Sequence, residues 1–232
     1  MTTLHTTTHT PDGEVLSGGT WEKTNAIGTL LGEMALQAVA EAQPSTNTTL
    51  RVVQTRFDLP VDNIAFQAMF KIGVFPRDLY GYDPDEDLTN SNVPLVRTEM
   101  DLIQVGPVQM LSIPGELLPE VALGGYDGSL TGSTLYELVK ADNPNPPELD
   151  QAPSGPYLRD QMTGEFNWIL GLANDELGYI IPAYNFKLHE SVPYLDEAEG
   201  DHYEETNSLG PDTQPLISAQ AERLLDWSTA NP

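Results

Sequence analysis

The chain has 232 residues, 35 of them acidic and 10 basic, for a formal net charge of −25. So anionic a chain is repelled by nucleic-acid phosphates and by anionic lipid surfaces, because binding to either is carried by clustered Lys and Arg. With no cysteine, disulfides, thiolate zinc sites and cysteine nucleophiles are all excluded.

The residues that remain are those of a folded protein. Hydrophobic side chains make up 39% of the chain, and the 19 Pro and 19 Gly predict many turns instead of a helical bundle. No stretch reaches the ~20 apolar residues of a membrane helix. Met1 to Pro11 is Thr-rich, without a basic start or an apolar run, and does not read as a signal peptide.

Residues 1–19 read as a flexible amino-terminal loop, and residues 20–232 as one folded region. A helix is expected over 20–42, where Ile27, Leu30, Leu31, Met34, Ala38 and Val39 recur at helical spacing, with Thr20 as its N-cap and Pro44 beyond its end. Residues 50–61 are rich in β-formers and read as extended. Ile64 to Ile72 has the length of one or two helical turns. A polar loop over 81–94 precedes two strands, 95–105 and 108–113, joined at Gly106-Pro107. A short helix is expected over 117–123, a helical turn over 135–139 and a buried strand over 166–172. A short extended piece follows at 179–181, then a loop over 182–212. An amphipathic helix over 214–227 closes the chain. Helices and strands alternate without a strict βαβ rhythm, so the fold class is α/β, a mixed sheet with flanking helices and long loops.

Three segments hold the side chains that do chemistry. In Ile113-Pro114-Gly115-Glu116 a strand runs into a turn that presents a carboxylate, as suits a metal ligand or general base. The plainer alternative is a Glu in the first turn of a helix, set against the helix dipole. In Gly171-Leu172-Ala173-Asn174, followed by Gly178-Tyr179, a strand leads into a polar loop that ends on a phenol. In His202-Tyr203-Glu204, before Ser208 and Gly210-Pro211, the residue types of proton transfer and oxyanion stabilisation lie side by side. A packed tyrosine and a solvated acidic loop are the corresponding plain readings of these two.

In this order and context the three segments resemble neutral, non-lysosomal ceramidases. The likeness covers roughly residues 14–227 as scattered short motifs, including the helix over 20–42 and Arg97-Thr98-Glu99. It implies that the chain is the carboxy-terminal part of a larger catalytic domain that hydrolyses linear amides of N-acyl lipids. It also implies one zinc ion held by two His, a Glu and a Tyr. Glu116 and Tyr179 match the metal ligands, and Tyr203 matches the oxyanion-stabilising tyrosine, with His202 beside it as the second candidate catalytic residue. The two zinc histidines would come from an upstream half or a partner chain, and a secreted or periplasmic location is implied. The sequence departs from the family in a longer stretch between Glu116 and Tyr179, including residues 143–147, and in Ile180-Ile181-Pro182 after the tyrosine.

Other readings compete. His5 and His9 have a zinc-compatible spacing, but their Thr-rich setting disfavours a helix. Asp83 to Asp87 resembles the start of a calcium loop, yet Leu88 and Pro94 stand where that loop requires Gly and Glu. The chain could also be a non-catalytic half that docks on a partner, or an acidic cation-binding surface protein.

Overall fold

A computed structural model of the chain describes residues 8–9, 13–16, 18–87, 89, 91–124 and 151–230. The chain divides into two units, Met1–Thr46 and Asn47–Pro232.

In the first unit, β1 (Thr8–His9) pairs antiparallel with β2 (Val15–Leu16), two short strands within the region expected to be loop. Helix α1 (Trp21–Glu41) lies within one residue of its expected bounds. Thr20 caps it, its hydroxyl accepting from the Lys23 amide at 3.2 Å, a contact worth about 1 kcal/mol.

The second unit is built on a mixed sheet. Strands β3 (Leu50–Pro60), β5 (Leu95–Val105) and β6 (Val108–Ser112) are antiparallel neighbours, and β8 (Phe166–Leu170) joins β6 in parallel. A two-residue β4 (Leu79–Tyr80) adds to the start of β5. Helix α2 (Ile64–Lys71) follows β3, and α5 (Thr213–Ala230) closes the chain. The α/β class with a mixed sheet and flanking helices is therefore as expected.

The period-2 pattern sorts the sheet into two faces. One face carries Val96, Met100, Leu102 and Leu111 into a core closed by Ile217, Ala221, Leu224 and Leu225 of α5. Gln109, also buried there, is satisfied by donating to the Ser228 hydroxyl at 3.0 Å. On the other face the register aligns Val52, Ile103, Met110 and Trp168 in one row across four strands, and Leu50, Val105, Val108 and Phe166 in the next. The ends of both rows are exposed.

Three local differences have physical causes. The helix expected over 117–123 is shorter, α3 (Pro119–Leu123), because Pro119 takes its first position and residues 116–117 pair as strand β7 (Glu116–Leu117). The strand expected to reach residue 172 stops at Leu170, and Leu172 turns with φ 54°. The region 182–212 contains a 3-10 turn, Ala183–Asn185, and a short helix, α4 (Tyr203–Thr206). The helical turn expected over 135–139 and the insertion at 143–147 lie outside the described residues.

Candidate functional site

The turn that carries Glu116 is clasped by main-chain hydrogen bonds. Strand β7 pairs in parallel with β9 (Tyr179–Ile180), and in that register Glu116 stands opposite Tyr179. The Glu116 amide donates to the Gly178 carbonyl at 3.0 Å. The Leu172 amide donates to Gly115, Ala173 to Ile113 and Leu177 to Pro114, all within 3.1 Å. Two glycines permit this closeness. A Cβ on Gly115 would stand 2.6 Å from the Gly178 carbonyl oxygen, and one on Gly178, at φ +88°, would collide with the carbonyl of Asn207. Glu116 thus belongs to a strand and not to a helix first turn.

The third segment is tied to the same frame. The Tyr179 amide donates to the Asn207 carbonyl at 3.0 Å, one residue beyond α4. Asn63 holds that end of α4 from the other side. Its side chain caps α2 through the Ala65 and Phe66 amides, and its Nδ2 donates to the carbonyls of Thr206 (3.0 Å) and Ser208 (2.8 Å). As a result Tyr203, the first residue of α4, lies against Tyr179 with ring centroids 6.0 Å apart at 71°, an edge-on pair.

The structure therefore brings Glu116, Tyr179 and Tyr203 together. Glu116 and Tyr179 are partly buried, while Tyr203 is 47% exposed and reachable from solvent. The Tyr179 phenol titrates above its usual range. Burial is the largest cause, followed by the negative charge of Glu116, then Tyr203 and Glu204, with a hydrogen bond to Glu116 adding to the shift. A raised pKa leaves Tyr179 a neutral phenol at neutral pH, beside the Glu116 side chain. Neutralising that carboxylate in Glu116→Gln should lower the Tyr179 pKa. A titration of phenolate absorbance, with Tyr179→Phe as the reference, reads this directly, and an unmoved curve refutes the contact.

His202 is placed differently from a solvent-facing base. It is 5% exposed, and its Nδ1 lies 2.7 Å from Oε1 of Glu205, itself 2% exposed. The same Glu205 oxygen accepts from the Lys187 amide at 3.2 Å. His202 directly precedes α4, so this pair fixes the residue before Tyr203. The sequence reading did not single out Glu205, although its i, i+3 spacing from His202 is visible in the chain. Glu204, part of the His202-Tyr203-Glu204 segment but given no role of its own there, adds its negative charge to Tyr179.

Asp175 anchors the loop before Tyr179. Arg77 grips it with two hydrogen bonds of 2.9 Å, and the Thr98 hydroxyl donates to it at 2.9 Å. Burial works against its charge, but the Arg77, Glu176-amide and Thr98 hydrogen bonds outweigh it, and its pKa falls below the usual carboxylate value. A depressed carboxylate stabilises the fold above its unfolded pKa of about 3.9, and that contribution disappears as pH falls through the lower folded value. Asp175→Ala should cost about 2 kcal/mol at neutral pH, since charge-assisted hydrogen bonds are worth roughly 1.5–3 kcal/mol. It should also flatten the acid limb of the stability curve. Urea melts between neutral pH and pH ~3 test this, and an unchanged acid limb sinks it.

Of the other candidates, His9 lies in β1 and His5 outside the described residues. The loop bearing Asp83 is tied by buried Asn92, which accepts from the Asp83 amide and donates to the carbonyls of Asp83 and Asp87. Among the described residues, no three His, Asp or Glu side chains gather as a metal-binding group. No described helix is long and apolar enough to cross a membrane. No protein-family model matches the chain, and no curated protein matches its sequence.

Proposed function

We propose that this chain supplies one wall of a zinc-dependent amide hydrolase site, acting on an N-acyl lipid of the ceramide type. The observation that carries the reading is the register pairing of Glu116 with Tyr179, with Tyr203 edge-on to Tyr179 and open to solvent. The donor set suits zinc in part. A carboxylate and a phenol would supply two oxygen donors, and with two histidines the protein ligands would number four, one more than the three common at catalytic zinc, with water as a fifth donor. The remaining ligands would be histidines from an upstream half or a partner chain, as the resemblance to neutral ceramidases implies.

Bound zinc would lower the pKa of a coordinated water, polarise the amide carbonyl and favour the phenolate of Tyr179. The chain's own residues do the rest. Glu116 and Tyr179 present two oxygens side by side on paired strands, so neither has to be organised when a cation arrives. Tyr203 donates its hydroxyl hydrogen to the carbonyl oxygen as that oxygen gains charge during water attack. The carbon–nitrogen bond then breaks, the acyl group keeping the water's oxygen and the amine leaving with a proton given up by that water. His202, held by Glu205, positions the start of α4 and with it the Tyr203 ring.

The test is to join the chain to the histidine-bearing half and measure zinc content and hydrolysis of a fluorogenic N-acyl-sphingosine. One zinc per complex and turnover are expected, with neither in the 232-residue chain alone. Zinc-free turnover, or a completed protein that is inert with zinc bound, overturns the reading.

A further inference from the structure

The end of β3 is fastened to the turn that leads into α5. The amides of Asp62 and Asn63 both donate to the Leu209 carbonyl, at 2.8 and 3.0 Å, and the Thr213 amide donates to the Gly210 carbonyl at 3.1 Å. Gly210 makes room for the Asp62 side chain, since a Cβ there would stand 2.6 Å from Asp62 Oδ2. Asp212 lies two residues further on, directly before α5, and its charge acts on Asp62. Two carboxylates thus stand within electrostatic reach of one another across a turn held by main-chain hydrogen bonds. Asp62 is partly buried and Asp212 is exposed, so the pair opens to solvent on one side.

Two buried hydroxyls accompany them. Tyr194 is 7% exposed, and its hydroxyl makes no hydrogen bond among the described residues. It titrates above its usual range, first through burial, then through the charges of Asp62 and Asp212, so the phenol looks toward both carboxylates. Thr213, next to Asp212, is 1% exposed, and its hydroxyl oxygen is without a hydrogen-bond partner. A buried hydroxyl left unsatisfied is unusual in a folded protein. Burial and then the Asp212 charge hold the Asp62 carboxyl above its usual range, the mark of like charges brought together. A cation between the carboxylates relieves that repulsion and gives the hydroxyls a polar neighbour. All the donors are oxygen, the choice of hard divalent ions, which take one or two carboxylates and complete their shells with neutral oxygens and water.

We propose that Asp62 and Asp212, with the Tyr194 and Thr213 hydroxyls beside them, bind one hard divalent cation of the calcium class. Bound there, the ion ties the end of β3 to the start of α5. Glu116, Tyr179 and zinc take no part, so the success or failure of this site is separate from that of the proposed function.

The experiment titrates the EDTA-treated chain with terbium(III), a luminescent stand-in for calcium, then displaces it with calcium chloride at constant ionic strength. An excited Tyr194 passes its energy to a terbium ion held beside it. Saturable emission that calcium displaces is expected, and calcium alone should raise the thermal midpoint. Tyr194→Phe should lose most of the emission yet keep the calcium-dependent rise. Asp62→Asn and Asp212→Asn should each weaken calcium binding at least about tenfold, because affinity follows the charge on the ligands. Asp212 is exposed, so Asp212→Asn keeps its fold and decides the matter if Asp62→Asn does not. Asp85→Asn, in the acidic loop over 81–94, controls for diffuse attraction to an anionic surface and should change nothing. Emission that never saturates, emission unchanged in Tyr194→Phe, a calcium response undiminished in Asp212→Asn, or an equal loss in Asp85→Asn overturns the proposal.

Discussion

On the proposed zinc reading, Glu116→Gln, made in the chain joined to a histidine-bearing half, is expected to lose zinc and amide hydrolysis together while remaining folded. The amide keeps the shape of the carboxylate and can still accept from the Tyr179 hydroxyl. The turn itself is held by the Glu116 amide and its neighbours, which the substitution leaves alone. What disappears is the charged oxygen. Removing an outer-sphere partner of a metal typically costs about 10–100-fold in affinity, and a direct ligand should cost more. Dialysis followed by elemental analysis reads retention, and the thermal midpoint reads folding. Full zinc occupancy in a folded Glu116→Gln protein would falsify the assignment.

Tyr203→Phe is the complementary case, expected to keep the metal and lose the rate. The ring can retain its edge-on contact with Tyr179 at 6.0 Å, and the position is exposed enough for stability to change little. Only the hydroxyl donor goes. Loss of one donor to a developing oxyanion costs about 10²–10³ in kcat, so kcat should fall by that factor with KM nearly constant and zinc content unchanged. A fall in KM-dependent binding with kcat intact would instead make Tyr203 a substrate contact.

Much of the architecture was legible in the chain because its signals were local. Thr20 before an apolar helical stripe marks the start of α1, and the alternation on either side of Gly106-Pro107 marks β5 and β6. The β7–β9 ladder was not legible. Two-residue strands carry no periodicity, and they pair here because Gly115 lets its backbone approach Gly178, while Gly178 in turn leaves room for the Asn207 carbonyl. Helix α4 was hidden for a similar reason, since four residues that include Glu204 and Glu205 read as an acidic loop. Of the candidate site, the sequence named Glu116, Tyr179, Tyr203 and His202, but nothing local could show that the first two share a register. Nor could it show that His202 turns inward to Glu205. Those facts depend on Asn63 and Asn207, distant residues whose amide side chain and carbonyl close the frame.

In this frame the fastening is done by peptide groups: Gly178 to Glu116, Gly115 to Leu172 and Asn207 to Tyr179. The side chains of Glu116, Tyr179 and Tyr203 hang from it and bear little of its weight. A scaffold of that kind can exchange its working groups one codon at a time without coming apart. The two glycines are the exception: a side chain at 115 would push β7 away from β9, and one at 178 would push the Asn207 carbonyl away from Tyr179, so either would undo the geometry that brings Glu116, Tyr179 and Tyr203 together.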